Sequence, residues 1–299
     1  MMDAFSDSSS RDSSALSPIR IGPAGWSYED WKGIVYPNGM KEHPLHWLQQ
    51  AFDAVELNVT FYRPPVARNC ARWVGLVERS PDFRFTAKLW QRFTHDRNVF
   101  PEPHEIAMVQ EGFEPLVEAG RLGALLIQFP WSFRRTPENR QWLANTLDAF
   151  ADYPRVVELR HASWDRPEVY EAFAERGIGF CNIDQPLFRD SIAPSKHVTA
   201  RVGYVRLHGR NAADWFREDA GRNDRYDYLY NTQELAEWVQ KIEQMRPQVN
   251  DLYVISNNHY RGQAIVNALE LRHALGQGVR AVPQTLVEHY PRLAPLADS

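Results

Sequence analysis

Glu56, Lys88, Glu158, Arg206 and His208 carry the groups of acid–base and anion chemistry, and all five stand at equivalent local positions. Each falls in, or just past, the end of a short run rich in Val, Leu, Ile, Phe or Tyr. Residues two apart on a strand share a face. Read this way, the runs end in polar pairs: Glu56 with Asn58, Thr86 with Lys88, Glu158 with Arg160, Asn182 with Asp184, and Arg206 with His208. Gln128 ends another run, and Asn257 with Asn258 ends the last. The odd-numbered residues between them, such as Val55, Leu57, Val157, Leu159, Val205 and Leu207, are apolar and suit packing against helices. Buried charge is costly unless it is paired and hydrogen-bonded, so the polar ends are expected to face one another or a ligand.

The residue types suggest roles. Glu56 and Glu158 are candidates for general acid and base. Lys88 suits a base of depressed pKa, a Schiff-base amine or an anion clamp, with a salt bridge to Glu56 as the purely structural reading. Arg160 and Arg206 suit bidentate recognition of phosphate or carboxylate, with a Glu158–Arg206 ion pair as the structural alternative. His208, just before Gly209, is a candidate for proton transfer or ligand contact. Glu158, Asp184 and His208 end three consecutive runs and form a candidate set for a divalent metal, although no short metal motif accompanies them. Trp26, Tyr28, Asn58, Thr60, Tyr62, Gln128, Arg160, His161, Trp164, Asp184, Gly209, Asn257 and Asn258 complete the expected substrate-binding set. Trp31, Phe61, Trp215, Phe216, Tyr226 and Tyr228 add rings that either stack on sugars or bases or plug the fold. Gly22-Pro23-Ala24-Gly25 matches neither a dinucleotide fingerprint nor a P-loop, so no nucleotide cofactor is expected. Gly262, just before the last helix, marks a place where barrels often hold phosphate.

Eight β-rich runs must position these groups: 20–22, 54–58, 83–88, 124–128, 156–159, 179–183, 204–207 and 252–256. Amphipathic stretches separate most of them, near 45–52, 66–79, 104–119, 137–150, 167–176, 231–245 and 263–275. Residues 184–200 are rich in Pro and Ser and show little helical pattern. Strand–helix alternation implies parallel pairing through right-handed crossovers. Eight strands imply one α/β domain, a (β/α)8 TIM barrel, with an open doubly wound sheet as the alternative. Residues 1–17 read as a disordered Ser-rich tail, 18–276 as the barrel and 277–299 as a C-terminal extension packing on it.

The chain has 299 residues, 43% of them hydrophobic, which is ample for a sizeable core. Its formal charge of −4 argues against a general nucleic-acid binder. Cys70 and Cys181 have no metal spacing and are expected to be buried free thiols. No apolar run approaches the roughly 20 residues that span a bilayer, and the N-terminus has no basic start with an apolar centre. The expected setting is cytoplasmic, with no membrane partner and an oligomeric state that composition does not address.

Several blocks together resemble the YecE-like family. They are Gly25-Trp26-Ser27-Tyr28 with Trp31; Phe52-Asp53-Ala54-Val55-Glu56-Leu57-Asn58; Thr60-Phe61-Tyr62; and Phe83-Arg84-Phe85 with Lys88. Thr94-His95, Leu126-Ile127-Gln128-Phe129-Pro130, Glu158-Leu159-Arg160-His161 with Ser163-Trp164, Tyr204-Val205-Arg206-Leu207-His208-Gly209 and Asn257-Asn258 continue the match. Related sequences often carry Phe-Asn-Asn where this chain has Ser256-Asn257-Asn258. The resemblance implies a bacterial or archaeal domain with a TIM-barrel fold and a cleft at the C-terminal ends of its strands. It implies no activity.

The residues themselves suggest an enzyme of hydrolase or isomerase type, metal-assisted or not, acting on a small polar or anionic molecule such as a sugar phosphate or nucleotide fragment. On this reading Glu158→Gln abolishes turnover in a folded protein. The competing readings are a nucleic-acid binding or repair protein, whose binding would weaken steeply with salt, and a non-catalytic barrel that senses a ligand or docks a partner.

Overall fold

The computed structural model describes residues 16–215, 217, 219 and 221–297. Phe216 and all but the last two residues of the expected tail lie outside the described residues. The chain runs β1 (Ile19–Pro23), α1 (Leu45–Ala51), β2 (Ala54–Leu57), α2 (Val59–Tyr62), α3 (Ala67–Leu76), β3 (Arg84–Lys88), α4 (Pro103–Glu118), β4 (Leu122–Gln128) and α5 (Pro137–Ala149). It continues through β5 (Arg155–Glu158), α6 (Pro167–Glu175), β6 (Gly179–Asp184), β7 (Val202–Leu207), α7 (Arg222–Arg225), α8 (Thr232–Met245), β8 (Asp251–Ser256), α9 (Gln263–Ala274), α10 (Gln284–His289) and α11 (Ala294–Ala297). The strands form one sheet in the order β1-β8-β7-β6-β5-β4-β3-β2, and the paired neighbours are parallel.

The two ends of the sheet meet. Asp53 N–H donates to the Ile21 carbonyl (3.2 Å) and Gly25 N–H donates to the Glu56 carbonyl (2.9 Å). Gly22 makes this approach feasible, because a Cβ there would lie 1.7 Å from the Ala54 carbonyl oxygen. The eight strands therefore form the expected α/β barrel, and the open doubly wound sheet is set aside.

Two apolar layers hold the barrel. Val55, Leu57, Leu125, Ile127, Val157, Leu159, Val205, Leu207 and Val254 pack outward with the helices. Ala54, Ala124, Leu126, Val156, Cys181, Ile183, Tyr204, Tyr253 and Ile255 fill the lumen. Alanines recur inside because an eight-stranded lumen has room for little more than side chains. Helix starts are capped locally. The Asn231 side chain accepts from Glu234 N–H (3.0 Å), while Glu234 accepts from Asn231 N–H (2.9 Å), so α8 starts where the sequence suggests. Leu286, Leu293 and Leu296 of the C-terminal segment are buried in the outer layer. Cys70 and Cys181 are buried and unpaired. Among the described residues no helix is long and apolar enough to cross a membrane.

One strand corrects the sequence reading. On β6 it is Cys181 and Ile183 that face the lumen, so Asn182 and Asp184 point outward. The Asn182 amide staples the helix-free β6–β7 connection: it accepts from Ser195 Oγ and His197 N–H, both at 2.7 Å. Asp184 accepts from Trp238 Nε1 of α8 (2.5 Å) and from Arg210 (2.8 Å from Nη2). Every residue of β6 is buried, and its polar residues lie on the outward face because the β6–β7 connection and α8 supply their hydrogen-bond partners there.

Candidate functional site

The C-terminal ends of β2, β3, β5 and β7 bring Glu56, Lys88, Glu158 and Arg206 to one place. Arg206 lies at the centre. Its Nη2 is 2.6 Å from Glu56 Oε1 and its Nη1 is 2.5 Å from Glu158 Oε2. Both carboxylates are fully buried and Arg206 is 1% exposed, so the charges are paired away from solvent. The Tyr204 hydroxyl donates to Glu56 Oε2 (3.0 Å) and lies 2.7 Å from Thr86 Oγ1. Glu158 Oε1 accepts from Arg160 Nε (2.8 Å) and Nη2 (2.7 Å). Burial alone would raise the Glu158 pKa. Arg206, Arg160 and His208 outweigh that and hold it well below the usual carboxylate range. Glu158 is therefore an ionised anchor for two guanidinium groups, a poor general acid at neutral pH.

His208 directly follows β7 and is fully buried, its ring 6.2 Å from Trp215 and 6.4 Å from Tyr226 of the loop after that strand. Asn257 Nδ2 approaches its Nδ1 at 2.9 Å, which leaves the ring proton on Nε2, 3.2 Å from Glu158 Oε1. Desolvation, opposed by Glu158, lowers the His208 pKa to about 3, so the ring is neutral. It positions Glu158 and is shielded from the cleft. The metal set does not assemble, because Asp184 faces α8. Among the described residues no group of three or more His, Cys, Asp or Glu is arranged to hold a metal.

Lys88 behaves differently from the arginines. It makes no ion pair among the described residues, and the expected bridge to Glu56 is not formed. Its Nζ donates to Gln128 Oε1 (3.0 Å) and sits 4.0 Å from the centre of the Phe61 ring. The Gln128 amide is oriented by donating to the Phe129 carbonyl (2.7 Å). Desolvation first, then repulsion from Arg206, pulls the Lys88 amine down to about 7 against the weaker attraction of Glu56 and Glu158. An amine poised there exchanges protons near neutral pH.

Above these groups lies a cleft of about 310 Å³, lined by Lys88, Arg160, Arg206 and Arg225 with Asn58, Phe61, Tyr62, Tyr226, Asn257 and His259. The Nε atoms of Arg206 and Arg225 are buried and have no hydrogen-bond partner among the described residues. An orphaned buried donor costs about 1–3 kcal/mol. The cleft wall itself carries four cationic side chains against the two buried carboxylates Glu56 and Glu158, an excess of positive charge that an anionic ligand would balance. His95, whose ring meets Phe61 edge-on, is also lowered to about 3, by desolvation and then by Lys88 and Arg160.

Beside the cleft runs a groove of about 450 Å³ that contains Trp26 and Tyr28 and shares Asn58 and Tyr62 with it. Tyr28 is fixed by its hydroxyl on the Ala24 carbonyl (2.6 Å) and stacks on His259 at 4.3 Å.

Other expected binding residues turn out to be structural. Thr60 Oγ1 caps the Lys88 carbonyl (2.7 Å). Trp164 is buried in a stack with Phe133 and donates to its carbonyl (2.7 Å), so it plugs rather than presents. Trp31 is buried and donates to the His259 carbonyl (2.7 Å). His161 accepts from Ser163 N–H (3.1 Å) and packs on Trp131, outside the cleft wall. Asn258 donates to the Tyr228 carbonyl (2.8 Å) and to Asn267 (2.9 Å), tying down the long loop after β7. Gly209 has φ 90° and its Cα faces Tyr228, where a Cβ would come within 2.6 Å. Gly209 and Asn258 thus shape the loop that delivers Tyr226 and Arg225.

His259, Arg225 and Tyr204 join the site without being legible as site residues in the sequence. His259 directly follows the Asn257-Asn258 pair, which is the available signal. Arg225 ends the one-turn helix α7, in a stretch without periodicity. Tyr204 is two residues before Arg206 on the same face, so alternation alone could have found it.

The chain has clear relatives. A family profile described as "Protein of unknown function DUF72" matches residues 20–291. The UPF0759 protein YunF of Bacillus subtilis (strain 168) is 30% identical over 270 residues, covering 86% of this chain and 94% of that one. Among solved structures, a DUF72 family protein from Thermotoga maritima MSB8 is 35% identical with a TM-score of 0.76, covering 87% of this chain and 99% of its own. One from Enterococcus faecalis V583 is 28% identical with a TM-score of 0.77, covering 89% and 98%.

Proposed function

Since the chain belongs to the DUF72 family, whose description names no reaction, we propose from the barrel mouth itself that the protein is an enzyme for a small anionic substrate. The chemistry is proton transfer of the hydrolase or isomerase type, on a molecule such as a sugar phosphate or nucleotide fragment. Arg160, Arg206 and Arg225 hold the anion, and Lys88 moves the proton. Glu56 and Glu158 fix the arginines, and His208 and Asn257 fix Glu158.

The observation that carries this reading is the imbalance in the cleft wall. Four cationic side chains line it against two buried carboxylates, Glu56 and Glu158, both already engaged by Arg206, and the amine among the cations has no carboxylate partner among the described residues. A structural network would balance those charges, and a site built for an anion leaves the excess open, at a cost in stability that function explains. The cleft volume is at the lower end of the range for small-molecule sites.

The test is a turnover screen of phosphorylated metabolites beside their dephosphorylated parents, with Lys88→Met as the control. The expected result is turnover of a phosphorylated compound that the variant loses while remaining folded. Turnover confined to uncharged compounds, or undiminished in Lys88→Met, would overturn the reading.

A further inference from the structure

We propose that the groove beside the cleft is the base pocket of a nucleoside phosphate, whose phosphate occupies the cleft between Lys88 and the arginines. The inference rests on the anion-site reading above and names the substrate class for it. Three observations lead there.

The first is continuity. Asn58 and Tyr62 line both the cleft and the groove, so one ligand can pass from one to the other without crossing a wall. Tyr62 stands at that junction, 54% exposed. Its ring, at the meeting point of cleft and groove, gives a flat ligand a face to stack on.

The second is the aromatic corner. Trp26 and Trp73 meet edge to face, with centroids 5.7 Å apart and planes at 85°. Trp26 is almost fully buried and therefore held in place, and Trp73 lines the groove from α3. The half-buried Trp73 ring, held at right angles by Trp26, is the surface left for a flat ligand.

The third is the polar rim. Asn69 and Arg72, from the same helix, line the groove and make no side-chain hydrogen bond or ion pair among the described residues. His43 meets Trp26 with centroids 6.0 Å apart. Its Nδ1 accepts from Leu45 N–H (3.2 Å), so the neutral ring keeps its proton on Nε2 as a donor. A phenyl ring could use the corner but none of the rim. A sugar could use the rim and rest on a ring, but it brings no π face of its own. A nucleobase has both a π face and hydrogen-bonding edges.

Calorimetric titration of the full chain with ribose 5-phosphate, the nucleoside monophosphates and the parent nucleosides tests this. At least one nucleoside monophosphate is expected to bind about tenfold or more tightly than ribose 5-phosphate, the scale of one base–aromatic stack. Trp73→Ala should erase that margin and leave ribose 5-phosphate binding unchanged. Tyr62→Ala, at an exposed position, should reduce it even if the Trp73 variant fails to fold. If ribose 5-phosphate binds and no nucleotide binds better, or if both variants keep the margin, the base pocket is wrong and the anion site stands. If no phosphate compound binds at all, the anion-site reading fails and the base pocket falls with it.

Discussion

Arg206 Nη1 sits 2.5 Å from Glu158 Oε2, and the other arm of the same guanidinium reaches Glu56 at 2.6 Å. One cation from β7 thus compensates carboxylates from β2 and β5, all three buried. Removing it leaves Glu56 buried without a cation and Glu158 with Arg160 alone. Arg206→Met is expected to lower stability by about 3–5 kcal/mol, the usual consequence of breaking a buried ion pair. Urea unfolding at neutral pH measures it, and a loss below about 1 kcal/mol would mean the carboxylates find other partners.

Lys88 predicts the opposite sign. Its folded value of about 7 lies far below the ordinary 10.5, so the native state disfavours the proton. Between those two values the unfolded chain binds the extra proton, and stability rises with pH across that window. Lys88→Met removes the penalty and should stabilise the fold by a few kcal/mol, on the order of 1.4 kcal/mol for each pH unit that separates the two values, before relaxation. The gain should be full below about pH 7 and should shrink as pH rises towards 10.5. A Met variant that is less stable than the parent at neutral pH would contradict the placement of an unpaired amine.

The same amine sets a pH–rate profile. If neutral Lys88 takes a proton from the substrate, kcat/KM should rise through about pH 7 and then level off. A bound anion favours the charged amine, so kcat should inflect at higher pH than kcat/KM. Steady-state rates in a constant-ionic-strength buffer series decide it, and a profile flat across neutrality rules Lys88 out as the base.

The barrel interior and chain order are legible in the sequence because period-two alternation and eight spaced runs are strong signals. The polar ends of β2, β3, β5 and β7 are also legible, since their outward faces are plainly apolar. β6 is not. Its outward face carries the polar residues, paired there by the β6–β7 connection and α8, and number parity carries no meaning from one strand to the next when the loops between them vary in length. That is why Asp184 reads as a neighbour of Glu158 and His208 when it belongs to Trp238 and Arg210. The split among the aromatics is hidden for a different reason. Whether an indole plugs or presents depends on a distant acceptor, such as the Phe133 carbonyl for Trp164. Lys88 reads as a partner for Glu56, and only the geometry shows that Arg206 has already taken that carboxylate.

Acid should weaken the fold through His95 and His208. Both are lowered to about 3 from 6.5, so the native state keeps them neutral while the unfolded chain protonates them below 6.5. The stability they confer is complete above 6.5 and is lost as pH falls towards 3, at up to about 1.4 kcal/mol per pH unit for each ring. His208→Gln should flatten that dependence by about one proton in unfolding measured across this window. An unchanged slope would place the titration elsewhere.

The most direct test of the central claim is calorimetric titration with sulfate, a dianion that does not itself titrate in this range. The titration is run at about pH 8 in buffers of different ionisation enthalpy. An anion seated among Arg160, Arg206 and Arg225 must raise the Lys88 pKa. Binding with uptake of a substantial fraction of a proton is therefore expected, together with loss of that uptake in Lys88→Met. No sulfate binding, or binding with the same proton uptake in the wild type and in Lys88→Met, would contradict it.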